Sequence, residues 1–269
     1  MTCVVLAAGY ATRLYPLTEN FPKPLLDVGS KTVLDWLVDD IASTGEIYKY
    51  VVATNGKYAH HFRDWAAKAP YEIHIVDNKT TTNETRLGAV RDLELAVREA
   101  NITSDLLVIA GDNLLDFSLE GYIKYAKKMN TSCILRYYEE DLRKCRKSGV
   151  VHIDAYDKVT SMQEKPQNPT SNWLAPPFYY LIASDVAKIR QAIDEGCAVD
   201  SPGGFIAWLS ACSTVHAMEM PGKRYDIGDL ESYERICKLF EIGKENINEM
   251  LTSRCKNHSP RNVGFKLQL

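Results

Sequence analysis

Five charged residues carry the chemistry that this sequence can do: Arg13, Lys23, Asp112, Lys165 and Asp226. Each follows or flanks a stretch that reads as a strand. Three cations and two carboxylates at strand ends suit a polyphosphate together with Mg²⁺, which is usually held by one or two carboxylates plus substrate phosphates. Asp112 and Asp226 are the candidate pair. Transfer at phosphorus asks mainly for positioning and charge neutralisation. An attacking phosphate monoester, with a second pKa of about 6, is largely ionised at neutral pH, so no general base is needed. The six histidines form no catalytic pattern, in keeping with that.

These residues need a scaffold that brings strand ends together. Cys3-Val4-Val5-Leu6-Ala7 is too short and too apolar for a helix and suits a central parallel strand. Small residues follow at Ala8, Gly9 and Ala11, so backbone N–H groups can approach an anion closely. Pro22 and Pro24 stiffen the backbone around Lys23. Val33, Leu34, Leu37 and Ile41 fall at helical spacing. Further strands are predicted over 50–53, 72–76 and 106–110, with helices over 58–68 and 87–100 between them. This alternation predicts a mostly parallel sheet covered on both faces, with ligands beyond the carboxyl ends of the strands. The second half reads differently. Strand-like runs over 133–138, 149–154, 159–164 and 178–182, with fewer helices between them, predict an added, partly antiparallel layer.

Composition narrows the partners. A net charge of −3 gives no general reason to bind nucleic acid or an anionic membrane. Seven scattered cysteines without a C-x-x-C pair point to reduced thiols and a cytoplasmic protein. No charged segment precedes a long apolar stretch, so neither a signal peptide nor a membrane span is expected. Past Leu251 the chain carries Arg254, Lys256, Arg261 and Lys266 and no acidic residue. This basic tail reads as a flexible end, with contact to a second subunit of a homo-oligomer as the rival.

Leu6-Ala7-Ala8-Gly9-x-Ala11-Thr12-Arg13-Leu14-x-Pro16-Leu17-Thr18, followed by Pro22-Lys23-Pro24-Leu25-Leu26, resembles the signature of the sugar-phosphate nucleotidyltransferases, in particular the glucose-1-phosphate thymidylyl- and uridylyltransferases. Gly111-Asp112-Asn113, Gly149-Val150-Val151, Glu164-Lys165-Pro166, Ser171-Asn172 and Tyr225-Asp226-Ile227-Gly228 continue the likeness in order, over about residues 2 to 240. The resemblance implies a Rossmann-like three-layer α/β/α fold with a mostly parallel central mixed sheet and an added sugar-binding β layer. The domain then spans residues 1–240, with a nucleotide-binding half (1–112) and an acceptor-binding half (113–240). The helix end and basic tail follow at 241–269.

By the same resemblance, Leu6, Ala8, Gly9, Asn83, Gly88 and Asp112 bind the nucleoside triphosphate. Arg13 holds the departing pyrophosphate and Lys23 the phosphate near the reacting centre. Asp112 and Asp226 hold Mg²⁺. Lys165 orients the sugar phosphate, and Gly149, Glu164 and Asn172 contact the acceptor. The implied reaction joins a sugar 1-phosphate to a pyrimidine nucleoside triphosphate, dTTP or UTP by the nearest likeness, and releases pyrophosphate.

Three positions depart from the pattern. Ala11 replaces the second glycine of the turn, and one methyl is accommodated there if φ is negative. Asn83, five residues before Gly88, stands where the thymidylyl enzymes read the base with glutamine. Ala175-Pro176-Pro177 replaces the small segment lining the sugar pocket, where a proline pair offers no N–H. Two alternatives therefore accompany the main reading. One is cytidylyl transfer to a non-sugar phosphate such as a phosphorylated amino alcohol. The other is a silent nucleotide-sugar-binding regulatory subunit. A dinucleotide-binding oxidoreductase lacks its third glycine here, and no P-loop motif occurs.

Overall fold

The computed structural model describes residues 1–240. The chain runs through β1 (Thr2–Leu6), a β2–β3 hairpin (Asp27–Val28, Lys31–Thr32), α1 (Val33–Ser43), β4 (Lys49–Thr54), α2 (Ala59–Ala66), β5 (Ile73–Asp77), α3 (Ala89–Glu99), β6 (Leu106–Ala110), β7 (Asn113–Leu115) and α4 (Glu120–Met129). It continues through β8 (Ser132–Tyr138), α5 (Leu142–Cys145), β9 (Gly149–Ile153), β10 (Val159–Glu164), β11 (Trp173–Ala175), β12 (Phe178–Leu181), α6 (Ala183–Val186), α7 (Ile189–Asp194), α8 (Gly203–Cys212), β13 (Val215–Glu219) and β14 (Arg224–Asp226). A last helix starts at residue 230, and Asp229 caps it by accepting from the Ser232 amide at 2.9 Å. The tail expected over 241–269 lies outside the described residues.

One ten-stranded sheet has the order β10-β9-β11-β8-β12-β6-β1-β4-β5, with β13 beside β8. β5, β4, β1 and β6 are parallel, and β12 runs against its neighbours β6 and β8. The edge of β8 is shared: Ser132–Arg136 pair with β13, while Tyr137 and Tyr138 pair with β11. The antiparallel β9-β10-β11 layer is thereby hydrogen-bonded onto the main sheet.

The central strands are apolar throughout because both faces are covered. Cys3, Val5, Leu107 and Ile109 pack with Leu34 and Leu37 of α1, Phe62 of α2 and Tyr122 of α4. Val4, Val51 and Val108 face the opposite way, toward Val90 and Leu93 of α3, Ile189 of α7 and Phe205 of α8. The expected three layers follow from this period-two alternation. α1 starts where Thr32 and Asp35 exchange capping bonds. Its predicted stripe, Val33, Leu34, Leu37 and Ile41, is buried.

The fold makes a switch point at β1. The chain moves outward from β1 to β4 and β5, then returns to place β6 on the other side of β1. Leu6 and Ala110 end the two strands in register, and the Gly111 amide bonds the Leu6 carbonyl at 3.0 Å. The Ala8–Gly9 turn and Asp112 therefore leave the sheet side by side, at the crevice where such sheets bind ligands.

Candidate active site

The opening turn is more constrained than its sequence suggests. Ala11 has φ 49° and ψ 40°, so the negative φ on which easy accommodation of its methyl depended is not met. Left-handed backbone costs an L-residue about 1–2 kcal/mol. Local bonds hold it: the Ala11 carbonyl accepts from the Leu14 amide at 2.9 Å and the Thr18 hydroxyl at 2.8 Å. Gly9 is exposed, and a side chain there would point into open space, which leaves its backbone accessible.

Arg13 and Asp226 are brought to this mouth by their neighbours. Leu14 and Ile227, one residue beyond each, are buried in one small cluster with Val28, Leu114 and Ile236. The β7–β14 ribbon sets Asp226 opposite Asn113, and hence beside Asp112. Lys23 lies between the carboxylates, its Nζ 2.8 Å from Asp112 Oδ2 and 3.7 Å from Asp226 Oδ1. Arg224 donates to Asn113 Oδ1 at 2.5 Å and stands 3.9 Å from Asp226. Burial alone would raise the Asp112 carboxyl, but Lys23 and Arg224 together hold it below its ordinary value. Two carboxylates already set to share one cation fit Mg²⁺, with substrate phosphates and water completing its shell. No cluster of three or more His, Cys, Asp or Glu suited to a metal occurs among the described residues.

Three cavities meet at Asp112. The mouth, about 300 Å³, is lined by Arg13, Lys23, Asp112, Asp226 and Gly228. A second cavity, about 250 Å³, runs inward between Leu6, Ala8, Gly9, Lys23, Arg86, Gly88, Asp92 and Asp112. Gly88, with φ 96°, has the Val199 carbonyl so close that a Cβ would come within 2.6 Å of its oxygen. Only glycine fits there. Arg86 pairs with Asp200 at 3.6 Å. Asn83 does not line this cavity; its carbonyl accepts from Arg86 at 3.0 Å.

Asp92 lines the cavity instead, although it is only 6% exposed. A chain of hydrogen bonds holds it. Tyr10 Oη and Thr80 Oγ1 are 2.9 Å apart, Thr80 Oγ1 donates to Asn78 Oδ1 at 2.8 Å, and Asn78 Nδ2 donates to Asp92 Oδ1 at 2.7 Å. Burial pushes the Asp92 carboxyl up to about 6, with the Asn78 bond partly offsetting it. The folded protein thus holds its proton at higher pH than the unfolded chain, so ionised Asp92 costs stability above pH 6 and the cost disappears near pH 4. With about two pKa units at stake, Asp92→Asn should stabilise the fold by about 2–3 kcal/mol at pH 8. The gain should shrink steadily toward pH 4. Thermal melts across this range check it; a gain independent of pH would refute it.

The third cavity, about 260 Å³, is lined by Asp112, Gly149, Glu164, Lys165, Pro176, Pro177, Tyr179, Ser201, Gly203, Arg224 and Asp226. Strand register assembles it: Gly149 lies opposite both Glu164 and Ala175. Lys165 has φ 49°, another left-handed residue at the site. Its amide bonds the Ser148 carbonyl at 3.1 Å and its Nζ donates to Ser201 Oγ. Burial raises the Glu164 carboxyl, while Lys165 and Ser201 pull it partly back. A Cβ on Gly203 would collide with Glu164 Oε2, so the carboxylate occupies space that a side chain would fill. Asn172 does not line the cavity; its Nδ2 donates to the Glu139 carbonyl at 2.6 Å.

A parallel-sheet switch point with cavities converging on Asp112 defines an α/β protein with its ligand crevice at the ends of the central strands. Residues 2–243 match the Nucleotidyl transferase family, and the chain belongs to it. It is 26% identical over 239 residues to the UTP–glucose-1-phosphate uridylyltransferase AglF of Haloferax volcanii, covering 85% of this chain and 91% of that one. It is 31% identical over 180 residues to the bifunctional protein GlmU of Methanococcus aeolicus, covering 66% of this chain and 39% of that longer protein. The fold is similar to that of a UDP-glucose pyrophosphorylase complexed with UDP-glucose, with a TM-score of 0.78, 18% identity, and 90% and 98% of the two chains covered.

Asp92, Asp200, Ser201, Gly203 and Arg224 line the cavities without having been singled out in the sequence. Asp92 did carry a signal: it sits four residues before Ala96 and three after Ala89, beside the buried stripe of α3. A carboxylate there needs a reason.

Proposed function

We propose that this protein is a Mg²⁺-dependent nucleotidyltransferase that joins a sugar 1-phosphate to a pyrimidine nucleoside triphosphate. The observation that carries the reading is the convergence of the inner and third cavities on Asp112, with Lys23, Arg13 and Asp226 at their common mouth. The triphosphate lies along the Ala8–Gly9 turn. The acceptor lies between Gly149, Glu164 and Lys165. An oxygen of the acceptor phosphate attacks the α-phosphorus, and the bond from that phosphorus to the bridging oxygen of the β-phosphate breaks. Arg13 and Lys23 neutralise the pyrophosphate as it leaves. Lys165, with its backbone fixed, orients the attacking phosphate. Mg²⁺ bound by Asp112 and Asp226 would supply charge neutralisation on the phosphates. The relatives' names point several ways, to uridylyl, thymidylyl, adenylyl and guanyl transfer, so the base is left to the geometry of the inner cavity.

The names of the relatives and structural neighbours favour a sugar over a phosphorylated amino alcohol as acceptor. The scattered cysteines of the sequence, without a C-x-x-C pair, favour a cytoplasmic enzyme.

Pyrophosphate release from a panel of triphosphates against sugar 1-phosphates and non-sugar phosphates tests this. Turnover confined to a non-sugar acceptor refutes the sugar, and binding without turnover across the panel refutes the enzyme. Lys165→Ala should raise the KM for the acceptor by about tenfold to a hundredfold, as expected for loss of a charged contact, with the nucleotide KM changed far less. Equal effects on both would move Lys165 to the triphosphate.

A further inference from the structure

The inner cavity holds an anion where a polyanionic ligand is expected to bind. Lys23 and Asp112 line both the inner cavity and the mouth, so they mark its phosphate end. Arg86, Gly88 and Asp92 line the inner cavity alone, on α3 and the segment leading into it, while the proposed triphosphate runs along the Ala8–Gly9 turn to Lys23 and Asp112. The base of a bound nucleotide then lies on the α3 side.

Asp92 is built to read something there. It is more than nine-tenths buried, and one oxygen is fixed through Asn78 and Thr80 to Tyr10. Among the described residues, no hydrogen bond reaches its other oxygen. Such a group carries a desolvation cost unless a ligand donates to it. It is also pre-organised, so little is lost when a ligand binds.

We infer that Asp92 is the base-reading residue of the inner cavity and that it selects cytosine, accepting a hydrogen bond from the exocyclic amino group. This rests on the reading of the cavity as a pyrimidine nucleotide site. Uracil and thymine carry a carbonyl where cytosine carries the amine, and a carboxylate repels it. Their ring N–H lies between two carbonyls, so a carboxylate that reaches it meets an acceptor on either side. Adenine and guanine also carry amines, and the experiment separates them.

The test is calorimetric binding of CTP, UTP, dTTP, ATP and GTP, each with Mg²⁺, to the full chain and to its Asp92→Asn and Asn78→Ala variants. CTP should bind tightest. Asp92→Asn keeps the bond from Asn78 but turns an amide N–H₂ toward the base, so CTP affinity should fall about tenfold or more. The CTP-to-UTP preference should fall by about a hundredfold or invert. Asn78→Ala, which frees the carboxylate from its anchor, should reduce the preference less. UTP or dTTP binding as tightly as CTP overturns the assignment, as does a CTP-to-UTP ratio that Asp92→Asn leaves unchanged. Tightest binding of ATP or GTP overturns both cytosine and the pyrimidine reading. Because binding needs no acceptor, failure of the transferase reading would appear separately, as a CTP preference without pyrophosphate release.

Discussion

Lys23→Met should lower kcat by about a thousandfold, the scale seen when a cation that neutralises a transferring phosphate is removed. Methionine keeps the apolar stem of a residue that is only 8% exposed, so the loss isolates the ammonium. That ammonium lies 2.8 Å from Asp112 and 3.7 Å from Asp226. In the free protein it is the shared counter-ion of the carboxylate pair, and in the proposed reaction it meets the developing charge of the leaving group. Without it, Asp112 keeps Arg224, a backbone hydrogen bond and the Asn113 amide to oppose its desolvation, and its carboxyl should titrate higher. In the wild type the Asp112 carboxyl is depressed, so the pair's contribution to stability is in place above the unfolded value of about 3.9 and fades as pH falls through the lower folded value. Steady-state pyrophosphate release checks the main effect. A kcat within tenfold of wild type would take Lys23 out of the transfer step.

Asp112→Asn is the second large effect. The substitution is nearly isosteric at a side chain that is 36% exposed, and its amide oxygen still accepts from one of the two present donors, Lys23 on Oδ2 or Asn113 Nδ2 on Oδ1. The fold should therefore persist. Turnover should fall by about a hundredfold to a thousandfold, the range for losing one preorganised electrostatic group, and half-maximal rate should need more Mg²⁺. Melting temperature and a Mg²⁺ titration of rate separate the two effects. Near-normal turnover at unchanged Mg²⁺ would remove Asp112 from the metal site.

What the sequence discloses depends on the range of each interaction. The central strands were legible because burial on both faces writes uninterrupted apolar runs, and Leu106–Ala110 matches its predicted bounds. The positions of Arg13, Lys23 and Lys165 were legible because each stands in a short local pattern of glycine or proline. The β7–β14 ribbon was not, since three-residue strands from opposite halves of the chain carry no periodicity. Yet that ribbon sets Asp226 beside Asp112. Asn83 was placed by its spacing to Gly88 and Asn172 by the family likeness, and backbone geometry directs them elsewhere: Asn83 into a 3₁₀ turn, Asn172 onto the Glu139 carbonyl that follows β8. Asp92 was hidden for the opposite reason. Its role depends on Tyr10, Asn78 and Thr80, which reach it only through the fold. The sign of φ at Ala11 was likewise not written in residue type, because the bonds that hold the turn come from Leu14 and Thr18.

The forked edge of β8 has a mechanical consequence. A single strand is laced to the central sheet through β12 on one edge and to the acceptor layer through β11 on the other, with β13 beside it. The floor beneath the inner and third cavities is therefore one hydrogen-bonded plate that runs across both halves of the chain. In the proposed reaction the two phosphates meet across this plate, and the spacing between donor and acceptor follows from its strand pairing. Any clasping of the ligands falls to the rim, to segments such as residues 78–88 and 195–202 that belong to no strand of the plate. In such a machine, fidelity of alignment comes from the stiffness of the frame, and adaptability is confined to its edge.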